Sequence, residues 1–186
     1  MGKRLARLGL LASATILAVA SLSVPAHASS RYINPFANPA WYPARTDMGV
    51  DWIPTRTLPV LAIGDAVILG SNSNDWGWPG HHFIWYQLLN GNHAGNIIYV
   101  AENLRKLAPA GRIVHAGQQI AVALPHAPWT EWGWATYYGE PRAGPCYHEG
   151  QKTNSGKEMA RFMQSLGAHV RDNPGRGPNW PTGRLC

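Results

Sequence analysis

Between Leu58 and Thr136 every apolar run is short and is closed by turn-forming residues, so strands rather than helices are what this stretch can build. Leu58 to Leu69 reads as two strands around Gly64-Asp65. Residues 70–80 (GSNSNDWGWPG) are a loop of turn formers. Phe83 to Leu89 is a strand ending at the Asn90-Gly91 turn, and Ile97 to Ala101 is the next. Arg112–His115 and Gln119–Leu124 form a pair joined through Ala116-Gly117, and Thr130 to Thr136 is the last strand. Short strands at this spacing indicate an all-β sandwich or barrel. The 20 Gly and 15 Pro among 186 residues agree with many turns, and the length suits one domain with a tail. Only 14% of residues are charged and there are nine Trp, which argues against a disordered chain.

The first 28 residues have the plan of a secretory signal. Lys3, Arg4 and Arg7 precede an Ala-rich apolar stretch from Leu8 to Leu22, and Ala26-His27-Ala28 is a small-x-small cleavage site. The apolar stretch is shorter than the ~20 residues that span a bilayer, so no stable membrane anchor is expected after cleavage. The chain is therefore expected to be secreted, or extracytoplasmic. The leader holds three of the 16 basic residues and none of the 10 acidic ones, so the remainder carries only +3. With no dense basic run left, nucleic acid is not an expected partner. Cys146 and Cys186, an even pair in an exported chain, are expected to form a disulfide. It would stabilise by roughly 4 kcal/mol in the chain-entropy model.

Residues 29–46 are rich in Pro, Asn and aromatics and read as an extended arm. One helix is expected at about 155–167. Ser155 and Glu158 have the spacing of a capping box, Met159, Phe162, Met163 and Leu166 share one face, and Gly167 is a suitable stop.

Asp47-Met48-Gly49-Val50-Asp51-Trp52, followed by Leu58-Pro59-Val60-Leu61-Ala62-Ile63-Gly64-Asp65-Ala66-Val67, resembles the opening of the lysostaphin-type (LytM-like) zinc endopeptidase domain. In that family a His-x-Gly-x-Asp segment precedes a Pro-Val-x-Ala strand pair. Ile98 to Leu104 is similar to the family's Tyr-Ala-His-Leu strand, and Val114 to Ile120 to its Val-x-x-Gly-Gln-x-Ile hairpin. Glu131-Trp132-Gly133-Trp134 stands where the family has its His-x-His strand. The resemblance covers about residues 45–136. It implies a mainly β fold, a lysostaphin-type antiparallel sheet or barrel-sandwich with one C-terminal helix. The chain then divides into a signal at 1–28, the arm at 29–46, a β domain at 47–140, and a C-terminal extension at 141–186 with the helix.

The resemblance also implies a degenerate site. The family's zinc is held by two His and one Asp, with water in the open position. Here Asp47 stands in place of the first His and Asp51 is the one retained ligand. No His stands in the segment that replaces the His-x-His strand, and Glu102 occupies the strand that brings a further His. Zinc draws much of its affinity from imidazole or thiolate, whereas carboxylates alone suit a hard cation such as calcium. No cofactor is therefore expected, with zinc or calcium as the alternatives. If Asp47, Asp51, Glu102 and Glu131 converge, at least one carboxyl should have a raised pKa. Four readings stay open. The acids bind a sugar or peptide, hold a hard metal, supply an acid and nucleophile for a glycosidic bond, or are merely solvated or bonded to backbone.

Of the aromatics, Trp85, Trp129, Trp132 and Trp134 lie in or beside the proposed groove strands, and Trp76 and Trp78 in the Gly-rich loop are the better candidates for exposure and stacking on a ligand. Alternation puts Trp132 and Trp134 on one face of their strand and Glu131 on the other. His81 and His82 are adjacent and point apart on a strand, which leaves His82 as a candidate from that loop. No Gly-x-Ser-x-Gly elbow, His-Glu-x-x-His or phosphate loop is present. The expected function is a binding protein for bacterial peptidoglycan or another cell-wall glycan or peptide. The alternative is a cell-wall hydrolase, either a metallo-endopeptidase with altered ligands or a carboxylate-based glycosidase.

Overall fold

The computed structural model of the protein describes residues 32–75, 77–125 and 129–171. Ten strands and one helix follow in order: β1 (Trp41–Thr46), β2 (Val50–Pro54), β3 (Leu58–Leu61), β4 (Ala66–Asn72), β5 (Phe83–Leu88), β6 (Ile97–Ala101), β7 (Leu104–Arg105), β8 (Ile113–Val114), β9 (Gln119–Ala123), β10 (Thr130–Ala135) and α1 (Asn154–Ser165). The strands form a seven-stranded sheet, β1-β2-β10-β6-β5-β4-β8, and a three-stranded sheet, β3-β9-β7. Every pairing is antiparallel. This is the mainly β fold with one helix that the sequence leads one to expect.

Period-two alternation sorts the large sheet into two faces. Val50, Ile84, Val100 and Trp132 face the main core, where they meet Val60, Ile120 and Ala121 of the small sheet. Helix α1 covers part of the same core with Met159, Phe162 and Met163, and the Phe162 ring lies 5.3 Å from that of Trp134. Each such buried side chain stabilises by roughly 1.5–3 kcal/mol. The opposite face carries a smaller apolar cluster of Phe83, Ile97, Tyr99, Ala101 and Ala135. Glu131 and Asp51 share that face, because Glu131 pairs in register with Asp51 on one side and with Ala101 on the other.

Two local readings change. Within the stretch expected as an arm, Trp41–Thr46 is a strand of the large sheet, with Pro43 opposite Trp52. It is an edge strand, the position where a proline's missing N–H is tolerated. Helix α1 is capped by Thr153 rather than Ser155: the Thr153 hydroxyl accepts from Gly156 N at 3.0 Å. Thr153 also fixes the helix to the site. Its N–H and hydroxyl donate to the Asp47 carbonyl at 2.9 and 3.0 Å.

The signal segment, Trp76 and Cys186 with its expected bond to Cys146 lie outside the described residues. Among the described residues no helix is long and apolar enough to cross a membrane.

Candidate functional site

Thr46 pairs with Val50, so Asp47, Met48 and Gly49 form the tip of the β1–β2 hairpin. Asp47 and Asp51 thus stand close together, and β10 brings Glu131 beside Asp51. One carboxylate oxygen from each of Asp47, Asp51 and Glu131 lies within 4.8 Å of the other two. All three side chains are buried.

Four residues that the sequence did not single out complete the cluster. Arg45 projects from β1 and spreads its guanidinium over the acids, with Nε 2.6 Å from Asp51 Oδ2, Nη2 2.8 Å from Asp47 Oδ2, and Nη1 2.8 Å from Glu149 Oε1. Its Cζ lies 4.3 Å from the centroid of the Trp129 ring, a cation–π contact. Tyr99 donates its hydroxyl to Glu131 Oε1. The Tyr147 hydroxyl lies 2.6 Å from Asp47 Oδ2 and 3.2 Å from Glu149 Oε2, and it accepts from Gly150 N at 2.9 Å. Gly133 makes room for this arrangement, because a Cβ there would run into the Tyr99 ring.

Burial controls the protonation of these groups. It pushes Asp51 up to about 7, with the Asp47 charge adding to the rise and Arg45 opposing it. Glu102 is pushed up to about 9, by burial first and by Asp51 second. Glu131 is raised well above the carboxylate range by burial and by the two aspartates. Asp47 is also raised by burial, against the lowering effects of Tyr147 and Arg45. Burial thus holds the close acids toward their protonated forms, and at Asp47 and Asp51 Arg45 pulls the other way.

A cavity of about 600 Å³ opens beside the cluster. Arg45, Glu102, Glu131 and Glu149 supply its charged groups, and Trp78, Trp129 and Tyr147 its aromatic ones. Glu102 follows the end of β6 in a left-handed conformation, with φ of +70°, and Asn103 follows at +40°. Such geometry costs a non-glycine residue about 1–2 kcal/mol. Glu102 is 6% exposed, and its Oε2 has no hydrogen-bond partner among the described residues.

Of the residues expected at the site, Asp47, Asp51 and Glu131 come together, and Glu102 and Trp78 line the adjoining cavity. Trp78 is half-buried and stacks on Phe83 at 5.7 Å. His82 is not among the cavity-lining residues; its Nδ1 lies 2.5 Å from the Gly80 carbonyl. Trp132 and Trp134 are core side chains on the face away from Glu131.

The two antiparallel sheets, with the acidic β1–β2 hairpin facing β10, make a lysostaphin-type fold. Two solved structures are similar to it. An NMR solution structure of lysostaphin aligns with a TM-score of 0.51 at 17% identity, over 83% of this chain and 63% of that one. A structure of the antimicrobial peptidase lysostaphin from Staphylococcus simulans aligns at 0.52 and 16% identity, over 84% and 62%. The chain thus spans less than two thirds of either, and at these identities the likeness is one of fold. No family model matches the chain, and no curated protein does.

The residues present do not fit the zinc ion that this fold implies. Among the described residues the cluster offers carboxylates and no imidazole or thiolate, and the Oδ2 atoms of Asp47 and Asp51 are both engaged by Arg45.

Proposed function

We propose that this chain is an exported domain that binds bacterial peptidoglycan, or another cell-wall glycan or peptide, without cutting it. The observation that carries the reading is the guanidinium of Arg45 laid across Asp47 and Asp51. Metal-assisted hydrolysis needs an ion that polarises the scissile carbonyl and lowers the pKa of its water. An arginine held by two acids supplies neither an open coordination position nor a nucleophile. The cavity beside it still has the make-up of a recognition site: aromatic walls, a few polar groups and a volume in the range of small-ligand pockets. The leader-like first 28 residues support export, and the fold supports the wall as the place of action.

Purified protein should co-sediment with isolated cell-wall sacculi and leave their soluble peptide and sugar content unchanged. Absence of co-sedimentation would overturn the binding reading. The hydrolase alternative rests on the three carboxylate oxygens lying within 4.8 Å. Stoichiometric zinc by mass spectrometry together with released wall fragments would establish that alternative instead.

A further inference from the structure

We propose that the cavity beside the hairpin receives a primary ammonium group on an alkyl stem, seated against Glu102. The inference rests on the binding reading above and names the chemistry of its ligand.

The charge count is the starting point. Asp47, Asp51, Glu131, Glu102 and Glu149 supply five carboxyl groups, and Arg45 is the one cation among the described residues lining the cavity. The guanidinium is already used up by Asp47, Asp51 and Glu149. Tyr99 donates to Glu131, and the Tyr147 hydroxyl lies against Asp47. Glu102 is the acid left over. It lines the cavity with Oε2 unpartnered while only 6% of the residue is exposed. A buried carboxyl oxygen without a donor costs roughly 1–3 kcal/mol, a deficit that an entering donor removes. Burial also holds a proton on Glu102, and an ammonium seated beside it replaces that proton as the counter-charge.

The shape of that deficit selects the ligand. With Oε2 buried, Glu102 turns at most one oxygen toward open space, which suits a compact donor, and an ammonium is a point charge with three donors. A guanidinium is better matched to a carboxylate with both oxygens free. A divalent metal would need the Asp47, Asp51 and Glu131 carboxylates, and these already carry Arg45 and Tyr99. Trp78, Trp129, Met48 and Pro79 give the cavity apolar surface along which methylene groups can lie, and the contact of Arg45 with Trp129 shows that ring serving a cation. A lysine-like side chain has this chemistry.

The test uses Nα-acetyl-lysine methylamide as probe, titrated into the full-length protein and followed by tryptophan fluorescence and NMR shifts. Its Nε-acetylated form, which has the same stem without the charge, is the control. The charged probe should bind, the acetylated probe should bind at least about tenfold more weakly, and Glu102→Gln should weaken the charged probe by a similar factor. Equal binding of the two probes to the wild-type protein, or unchanged binding to a folded Glu102→Gln variant, would overturn the proposal. The probe pair needs only the wild-type chain, so it decides the matter even where that variant fails to fold. Sedimentation with sacculi separates the two levels. Sacculus binding with no response to the charged probe removes the ammonium site alone. Probe binding without sacculus binding removes the cell-wall reading and leaves the ammonium site.

Discussion

The Nε of Arg45 stands 2.6 Å from Oδ2 of Asp51, and its Nη2 reaches Asp47 at 2.8 Å, so one side chain from β1 bridges the two aspartates of the adjoining hairpin. The aspartate side chains are inaccessible to solvent and that of Arg45 is 16% exposed. Desolvated pairs of this kind matter most when one partner is taken away.

Arg45→Ala should therefore destabilise the fold by about 3–5 kcal/mol, the usual range for stranding buried charge. Protonation of the stranded aspartates will bring the loss toward the lower figure. Urea denaturation of the variant and the wild type at neutral pH measures it. A loss below about 1 kcal/mol, the scale of an exposed pair, would contradict the buried bridge.

The same variant should acquire a cation response that the parent lacks. With the guanidinium gone, three carboxylate oxygens within 4.8 Å of one another are exposed to any hard ion that fits. Millimolar calcium is expected to raise the melting temperature of Arg45→Ala and to leave the wild type unchanged. Equal shifts in both proteins would mean that Arg45 does not block the cluster.

Stability should fall as pH rises from about 5 to about 9. Glu102 has a pKa of about 9 in the fold against 4.5 for the free group. Between those values the folded chain keeps a proton that the unfolded chain has released. The contribution is thus complete below the unfolded value and is lost as pH climbs through the folded one, with a slope of roughly 1.4 kcal/mol per pH unit for one proton. Glu131, also raised, acts in the same sense. Asp65 is lowered, and its opposite effect belongs to pH below its ordinary value of 3.8. Thermal unfolding at pH 5.5 and 8.5 should give the higher midpoint at the lower pH, and Glu102→Gln should flatten the difference. A midpoint that rises with pH would refute this.

Gly133→Ala should cost about 1–3 kcal/mol, the usual penalty for forcing an extra methyl into a packed site. Its Cβ has no room beside the Tyr99 ring, which must shift and loosen its bond to Glu131. Guanidinium-chloride unfolding checks the loss, and a neutral substitution would show that the ring is not held there.

The strands were legible in the sequence because Gly64-Asp65, Asn90-Gly91 and Ala116-Gly117 interrupt the apolar runs where chain reversals fall. Their division between two sheets was not, since pairing is decided by contacts distant in sequence. Trp41–Thr46 was hidden by Pro43, which an edge position tolerates. Likewise the alternation in Glu131-Trp132-Gly133-Trp134 gave the correct faces, yet the convergence of Asp47, Asp51 and Glu131 came only through the family resemblance. Arg45 carried a faint signal, two residues before Asp47 and so on the same side of an extended strand. Tyr147 and Glu149 carried none. They lie beyond the resemblance and reach the cluster because the segment before α1 folds back over the hairpin. The cap moved from Ser155 to Thr153 because Thr153 satisfies both the helix and the Asp47 carbonyl.

A counter-charge that is a side chain of the same polypeptide is present at one copy per molecule from the moment of synthesis. No chelator can strip it, no dilution can empty it, and no competing scavenger can starve it. Whatever this hairpin does, its integrity is uncoupled from the supply of trace elements around it.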